Sequence, residues 1–133
     1  MEMHIHDFVP SLEFLYDAVA DSIMGYLYLT DIKSDRICIS EKAKQDFGFS
    51  ECVIQNARET WLARIHPRDR DRVDESISLL YSAQKQTFDD EFQMRATSGR
   101  YFWVRARGRI YQPPGMDKPT HVIGILENLE QDG

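Results

Sequence analysis

Two groups of side chains in this sequence could take part in acid–base catalysis or metal binding. Asp89, Asp90 and Glu91 form a run of carboxylates that could supply an acid–base pair. His4 and His6 could begin a metal site if a third ligand lay nearby. Side chains alternate between the two faces of a β-strand, so arginines on a facing strand explain the carboxylates better than an active site does. A metal site near the chain terminus would lack rigid support. We therefore predict no catalytic residue and no bound metal.

Motifs of several enzyme classes are missing from the sequence. It contains no Cys-x-x-Cys pair, no phosphate-binding Gly-x-x-x-x-Gly-Lys-Ser/Thr loop and no Gly-x-Ser-x-Gly nucleophile motif. The two cysteines, Cys38 and Cys52, belong to an acidic chain that is poor in cysteine. Reduced thiols in a cytoplasmic protein are therefore the favoured interpretation.

The composition is that of an ordinary globular domain. The 133 residues are 42% hydrophobic and 29% charged, and the formal net charge is −6. This negative charge argues against nucleic acid or an anionic membrane as the main partner. No apolar run approaches the roughly 20 residues of a membrane span, and the N-terminus shows no signal-peptide pattern. We expect a single domain in the cytoplasm.

The carboxylate run belongs to a predicted β-hairpin. Residues 88–95 and 100–108 are rich in aromatic and β-branched side chains, and they flank a short loop at 97–99. If Gly99 takes the left-handed conformation in a three-residue loop, positions whose numbers sum to 196 face each other. The predicted cross-strand ion pairs are then Glu91 with Arg105 and Asp89 with Arg107.

This register gives the hairpin two faces of different character. The even-numbered face is apolar and must be covered, whereas the odd-numbered face carries aromatic and charged side chains. Core and pocket look alike in sequence, so the even face either fills the interior or lines a pocket for a small, largely apolar ligand. The candidate pocket residues, from the hairpin and the rest of the chain, are Phe47, Trp61, Ile65, Phe88, Phe92, Met94, Phe102, Val104 and Leu126.

An amphipathic helix is predicted from about residue 10 to residue 22, because apolar residues recur there at helical spacing. Its apolar stripe could cover the odd face of the hairpin, either in its own chain or in a partner's. Large aromatic side chains beside arginines resemble an interface, so we expect a homodimer through this helix and this face. The alternative is that the stripe only packs on its own domain. The candidate interface residues are Leu12, Leu15, Tyr16, Val19, Tyr101 and Trp103.

The order of all the predicted elements indicates an α+β fold. The other elements are strands at 24–30 and 36–39, a short helix at 41–47, a helical turn at 49–51, an irregular segment at 52–60, a short helix at 61–65, a longer helix after Pro67 and a last strand at 121–126. With the hairpin they predict a five-stranded antiparallel sheet. We divide the chain into an N-terminal flanking helix, 1–23, and a main domain, 24–131.

Three motifs resemble those of the PAS domain, of the PAS fold-3 type found in bacterial sensors. Residues 47–50 resemble the family's "lGys" turn, and residues 61–69 resemble "w...iHPdD". Residues 91–95, followed by 98–104, resemble "EyRlr..dG.yrWv". The resemblance spans residues 24–130. It implies the sheet order 2-1-5-4-3, with the short helices closing a pocket over one sheet face.

The resemblance allows the cofactors of the family to be compared with this sequence. The flavin-binding light sensors have a reactive cysteine where this chain has Glu59, and a glutamine where it has Leu126. The haem-binding members take a histidine from the long helix, but residues 67–86 contain none. We therefore expect neither flavin nor haem, and a small apolar molecule is the candidate ligand.

By resemblance, the chain is a sensory or regulatory module of a bacterial signal-transduction protein and not an enzyme in itself. It would bind a small ligand, or relay a signal through dimerisation, and act on an output domain. The usual outputs are cyclic-di-GMP enzymes of the GGDEF or EAL type and histidine kinases. Because the chain ends soon after its last strand, we expect it to be part of a longer protein.

Two alternatives stay open. One is a ligand-free module for dimerisation or protein interaction. This chain has Asn128-Leu129-Glu130 where the family has Asp-Ile-Thr before its output helix, which keeps a purely dimerising role open. The other is a small α+β cone-fold enzyme. It would need an ionisable residue on the inward, even-numbered face of the hairpin, and only Asp90 meets this condition.

Overall fold

The computed structural model describes residues 11–130, without the side chains of residues 12 and 13. Within that range the chain forms four helices: α1 (Leu12–Ser22), α2 (Glu41–Phe47), α3 (Ala57–Ala63) and α4 (Pro67–Tyr81). It also forms six strands: β1 (Tyr26–Asp31), β2 (Arg36–Ile39), β3 (Val53–Ile54), β4 (Thr87–Arg95), β5 (Tyr101–Tyr111) and β6 (His121–Asn128). The expected α+β fold is confirmed.

The six strands form one antiparallel sheet in the order β3-β2-β1-β6-β5-β4. Without β3 this is the expected order 2-1-5-4-3, so the topology is confirmed and the expected number of strands is wrong by one. The additional strand lies within 52–60, where the sequence predicts no regular structure. Two residues are too few to show the alternation that identifies a strand, and β3 forms because Val53 pairs with Cys38 at the sheet edge.

Local capping residues determine the boundaries of α2 and the start of α4. The Ser40 side chain accepts a hydrogen bond from the backbone N–H of Ala43 at 3.2 Å, and Gly48 ends α2 in the left-handed conformation, with φ of 74°. Pro67 occupies the first position of α4, where its missing N–H costs nothing. These boundaries agree with the sequence-based prediction.

Helix α3 occupies residues 57–63, so the predicted helix at 61–65 is misplaced, and residues 49–51 form no helix. The cause is a tertiary contact at the N-terminus of α3. The backbone N–H of Ala57 donates to the carbonyl oxygen of Asp35 at 2.9 Å, and that of Arg58 donates to the Asp35 carboxylate at 3.1 Å. The cap comes from the turn between β1 and β2, which local sequence patterns do not reveal.

The hairpin of β4 and β5 has the expected register. Facing pairs run from Thr87 with Arg109 to Arg95 with Tyr101, and the two residue numbers of each pair add up to 196. Gly99 in the loop has a φ of 90°, a backbone conformation that favours glycine. The alternation of the two hairpin faces is therefore as predicted.

Helices α2, α3 and α4 pack on one face of the sheet, which we call the inner face, and the main core lies between these two layers. The largest fully buried side chains are Phe47, Ile65, Val73, Phe92, Met94, Val104 and Leu126. The opposite, outer face carries the odd-numbered hairpin residues. Helix α1 contacts β1, and the Tyr16 hydroxyl donates to the carbonyl oxygen of Leu27 at 3.5 Å.

Candidate functional site

A cavity of about 70 Å³ lies between the inner face of the sheet and helices α3 and α4. Strands β1, β2, β4, β5 and β6 all contribute to its walls. Most of its lining is apolar, and Ile77, Leu80 and Val122 are typical members. A cavity of this size exceeds the share of volume of one water molecule, about 30 Å³, so it can hold a very small molecule.

The cavity lies beside, not within, most of the expected pocket. Trp61, Phe88 and Phe92 line it. The other candidates, which fill the neighbouring part of the interior, are Phe47, Ile65, Met94, Phe102, Val104 and Leu126. Aromatic packing is the reason: the Phe47 ring centroid lies 5.0 Å from that of Tyr26 and 5.9 Å from that of Phe102, so these rings are in direct contact.

Three residues that sequence analysis missed, Tyr28, Thr30 and Tyr81, line the cavity and carry hydroxyl groups. Within the described part of the chain, the Tyr28 hydroxyl makes one long contact, 3.4 Å, to the carbonyl oxygen of Arg107. Among the described residues, no hydrogen-bond partner is found for the hydroxyls of Thr30 and Tyr81. Burial raises the pKa of Tyr28 well above its usual value and that of Tyr81 to about 12. The alternation along β1 was the only signal that could have placed Tyr28 and Thr30 inside.

Two glycines position the phenol of Tyr28. Tyr28 faces Gly124 on β6, which in turn faces Gly108 on β5. A Cβ atom on Gly124 would lie 2.6 Å from Cζ of Tyr28 and would overlap the carbonyl oxygen of Arg107. A Cβ atom on Gly108 would lie 2.8 Å from the Tyr28 hydroxyl. The ring therefore lies across two strands at a place where only glycine leaves room for it.

Of the described residues that line the cavity, Arg58 alone carries a formal charge. Its Nε donates to the Asp74 carboxylate at 2.8 Å, and its Nη2 donates to the Ser78 hydroxyl at 2.6 Å. Its guanidinium also lies over the Tyr81 ring, 5.6 Å from the centroid. Arg58 thus joins α3 to α4, and its charge is already paired.

The predicted cross-strand ion pairs form with different partners. Arg105 donates to both carboxylate oxygens of Asp89, at 2.9 and 2.8 Å, and this contact lowers the pKa of Asp89. Arg107 pairs with Glu127 on β6. Neither pair includes Glu91, although it faces Arg105 as expected. Long arginine side chains reach diagonal neighbours and the next strand, so the register does not determine which charges meet.

Asp90, the residue that the enzyme alternative requires, has a structural role. It forms an ion pair with Arg72 of α4 and does not line the cavity. Asp69, which lies one helical turn before Arg72 in α4, is buried and accepts a hydrogen bond from the backbone N–H of Gln93 at 2.9 Å. Together these contacts hold α4 against β4, and they give the cone-fold enzyme no support.

The candidate interface residues do not form one surface within this chain. Trp103 is 43% exposed on the outer face, Val19 is 38% exposed on α1, and Leu15 is half-buried. The Tyr101 ring packs against His66, with 4.7 Å between centroids, and is therefore partly covered by its own chain. The Leu12 side chain lies outside the described part. Helix α1 contacts β1, not the hairpin, as its main partner in the sheet.

Within residues 11–130, no helix is long and apolar enough to cross a membrane. The same residues contain no group of three or more histidine, cysteine, aspartate or glutamate side chains that could hold a metal ion. His4 and His6, the weak metal candidates, lie outside the described residues.

Comparison with known proteins points to one family. A family model described as PAS fold matches residues 36–126. No curated protein matches the sequence. Solved structures match instead, among them a sensory box histidine kinase/response regulator from Burkholderia thailandensis, with a TM-score of 0.68, 20% identity, and coverage of 86% of this chain and 83% of that chain.

Two other solved structures are similar in fold. The N-terminal domain of a diguanylate cyclase with PAS/PAC sensor from Marinobacter aquaeolei matches with a TM-score of 0.68 and 14% identity, over 79% of this chain and 94% of that chain. The PAS-B domain of Drosophila melanogaster Cycle with bound ethylene glycol matches with a TM-score of 0.61 and 13% identity, over 78% of this chain and 99% of that chain.

Proposed function

Because the chain belongs to the PAS fold family, we propose that it is a sensory module that binds a small molecule in its internal cavity and passes this signal to an output domain. The cavity of about 70 Å³ between the sheet, α3 and α4 is the observation that carries the proposal. The PAS-B domain of Cycle, which is similar in fold, holds ethylene glycol, a molecule of suitable size. Helices α3 and α4 are joined by Arg58, so a ligand that displaces one helix would also affect the other.

We further propose that the output is a histidine kinase or a cyclic-di-GMP enzyme of the GGDEF or EAL type, in the cytoplasm of a bacterium. Two proteins of similar fold support this proposal, since one is a histidine kinase/response regulator and the other a diguanylate cyclase. Their TM-scores of 0.68 show that they share the fold of this chain, at sequence identities of 20% and 14%.

The test is a thermal-shift screen of small metabolites on the wild type and on Ala106→Ile, whose added carbons would occupy the cavity. Ala63→Ile is the matched control, because Ala63 is exposed on α3 and does not line the cavity. A ligand at 100 times its Kd stabilises the folded state by about 2.7 kcal/mol. We expect ligands that stabilise the wild type and the control but not Ala106→Ile. A screen in which no compound shows this pattern would contradict the proposal.

Homodimerisation through the outer face is a second candidate function. Trp103, Ile123 and Leu129 are 43%, 47% and 44% exposed, which is unusual for large apolar side chains. They belong to, or directly follow, the neighbouring strands β5 and β6. A second copy of the chain could cover them, with α1 contributing the exposed Val19.

Sedimentation mass tests the dimer. We expect Trp103→Arg and Leu15→Asp to lower the mass of a wild-type dimer to that of a monomer. Met116→Arg is the control, since Met116 is 49% exposed in the loop before β6 and not on the outer face. A wild type that sediments as a monomer at all accessible concentrations, or variants that leave the mass unchanged, would exclude this role for the outer face.

A further inference from the structure

We infer that the ligand of the cavity is a small, uncharged molecule with at least one hydrogen-bonding group, bound by the hydroxyls of Tyr28, Thr30 and Tyr81. This inference rests on the proposed function and specifies its ligand class. The sequence alone indicates a largely apolar ligand, because most side chains on the even-numbered face of the hairpin are apolar. The hydroxyls come from β1, in the same sheet, and from α4, on the helical side of the cavity.

The hydroxyl of Thr30 is the strongest indication. Thr30 is 6% exposed, and its hydroxyl makes no hydrogen bond with any described side chain or backbone group. Among the described residues, however, no side-chain oxygen that is inaccessible to water lacks a hydrogen-bond partner. The Thr30 hydroxyl must therefore open onto a space that a water molecule can enter, and the cavity is the space that it lines. A buried hydroxyl without a partner is unfavourable, so an occupant that can hydrogen-bond is preferred.

The phenols of Tyr28 and Tyr81 add to the polar groups of the cavity. Tyr28 is held over Gly124 and Gly108, and among the described residues its hydroxyl has one contact of hydrogen-bond type, the 3.4 Å approach to the carbonyl oxygen of Arg107. Tyr81 lines the cavity from α4 and has no partner among the described residues. Both phenols are protonated near neutral pH, because the usual pKa of tyrosine is about 10 and burial raises it further. Each can therefore donate a hydrogen bond as well as accept one.

The charges around the cavity favour a neutral ligand. An anion would need a cation to offset the loss of its hydration. Among the described residues that line the cavity, Arg58 is the one with a formal charge. Its guanidinium already donates hydrogen bonds to Asp74 and Ser78. A cationic ligand would find no carboxylate among the described lining residues. Both kinds of ion are therefore disfavoured.

The volume limits the size of the ligand. An engineered cavity of about 150 Å³ accommodates benzene, with its six heavy atoms. In proportion, about 70 Å³ takes roughly three heavy atoms. Short alcohols, diols and ketones satisfy all three conditions, because they are uncharged, small and able to hydrogen-bond while their carbons contact Leu80 and Val122.

The experiment compares five probes by chemical-shift titration of the full chain: ethylene glycol, 2-propanol, acetone, acetate and xenon. Three variants each remove one hydroxyl and keep the shape of the side chain, Tyr28→Phe, Thr30→Val and Tyr81→Phe. Tyr111→Phe is the control, because Tyr111 is 50% exposed and does not line the cavity. Melting temperatures check that each variant is folded, and three separate variants guard against the loss of any one.

We expect the three neutral oxygen-containing probes to shift resonances of cavity residues and to bind more tightly than acetate. Removal of one hydroxyl should weaken at least one of them by roughly 3- to 10-fold, the range of a neutral hydrogen bond. Xenon should bind the variants within about twofold of the wild type, since it makes no hydrogen bonds.

Other results overturn the inference in distinguishable ways. If xenon binds in the cavity while the hydroxyl variants bind every probe as well as the wild type does, the ligand class is wrong and the proposed function survives. If acetate binds most tightly, the neutral class is wrong. If no probe enters the cavity, xenon included, both the ligand class and ligand binding in this cavity are wrong.

Discussion

Replacement of Gly108 by alanine tests whether the Tyr28 hydroxyl lies where the structure places it. A Cβ atom at position 108 would lie 2.8 Å from that hydroxyl and 3.0 Å from the carbonyl oxygen of Ile123. Both distances are shorter than ordinary van der Waals contact. The Tyr28→Phe replacement removes the first of these two atoms and leaves the second in place. The pair of replacements therefore isolates the contact with the hydroxyl.

The size of the effect follows from two opposing contributions. An additional carbon in a packed interior costs roughly 1–3 kcal/mol. Replacement of glycine by alanine returns about 0.4–1 kcal/mol, because the unfolded chain loses conformational freedom. We expect Gly108→Ala to destabilise the wild type by roughly 1–2 kcal/mol. In the Tyr28→Phe background the closest contact is gone, so the cost should fall by roughly 0.5–1 kcal/mol, a coupling typical of residues in contact.

The assay is urea unfolding of the four proteins of this cycle, followed by tryptophan fluorescence. A second cycle with Gly115→Ala is the control. Gly115 has a φ of 82° and no heavy atom within 4 Å of a Cβ built there, so alanine should cost backbone strain alone and should not couple to Tyr28. A coupling energy below about 0.3 kcal/mol between positions 108 and 28 would refute the placement of the hydroxyl, since independent sites add within that margin.

Three further predictions concern the core, a helix end and pH. Phe47→Ala should destabilise by roughly 3–5 kcal/mol in urea unfolding, because Phe47 is 1% exposed, whereas Phe14→Ala should change little, because Phe14 is 59% exposed. Gly48→Ala should cost about 1 kcal/mol in the same assay, since Gly48 ends α2 with a φ of 74°; an unchanged midpoint would argue against this cap. Burial raises the pKa of Tyr81 to about 12, so its contribution to stability is complete below its unfolded value of about 10 and is lost as the pH rises from about 10 to about 12. Unfolding free energies measured across that window should fall less steeply in Tyr81→Phe, and equal slopes would contradict the prediction.

The amino-acid sequence by itself determined the hairpin register, the caps of α2 and the fold class. These features depend on residues that are close together in the chain. Gly99 permits the loop of the hairpin, and the alternation of side chains then assigns every residue of β4 and β5 to a face. Ser40 and Gly48 cap a helix that is seven residues long. Short-range geometry and the period of the pattern were sufficient for all of them.

The tertiary structure alone decided the position of α3, the choice of ion-pair partners and the location of the cavity. Each depends on residues that are distant in the sequence: Asp35 caps α3, and Glu127 on a third strand pairs with Arg107. The Tyr28 hydroxyl reaches the carbonyl of Arg107 on β5, 79 positions away, because β6 and β5 present Gly124 and Gly108 beneath its ring. The hydrophobic pattern of the sequence shows which side chains are buried, but it does not show which buried side chains contact each other. The empty space, and the hydroxyls that line it, arise only where distant side chains fail to fill the interior together.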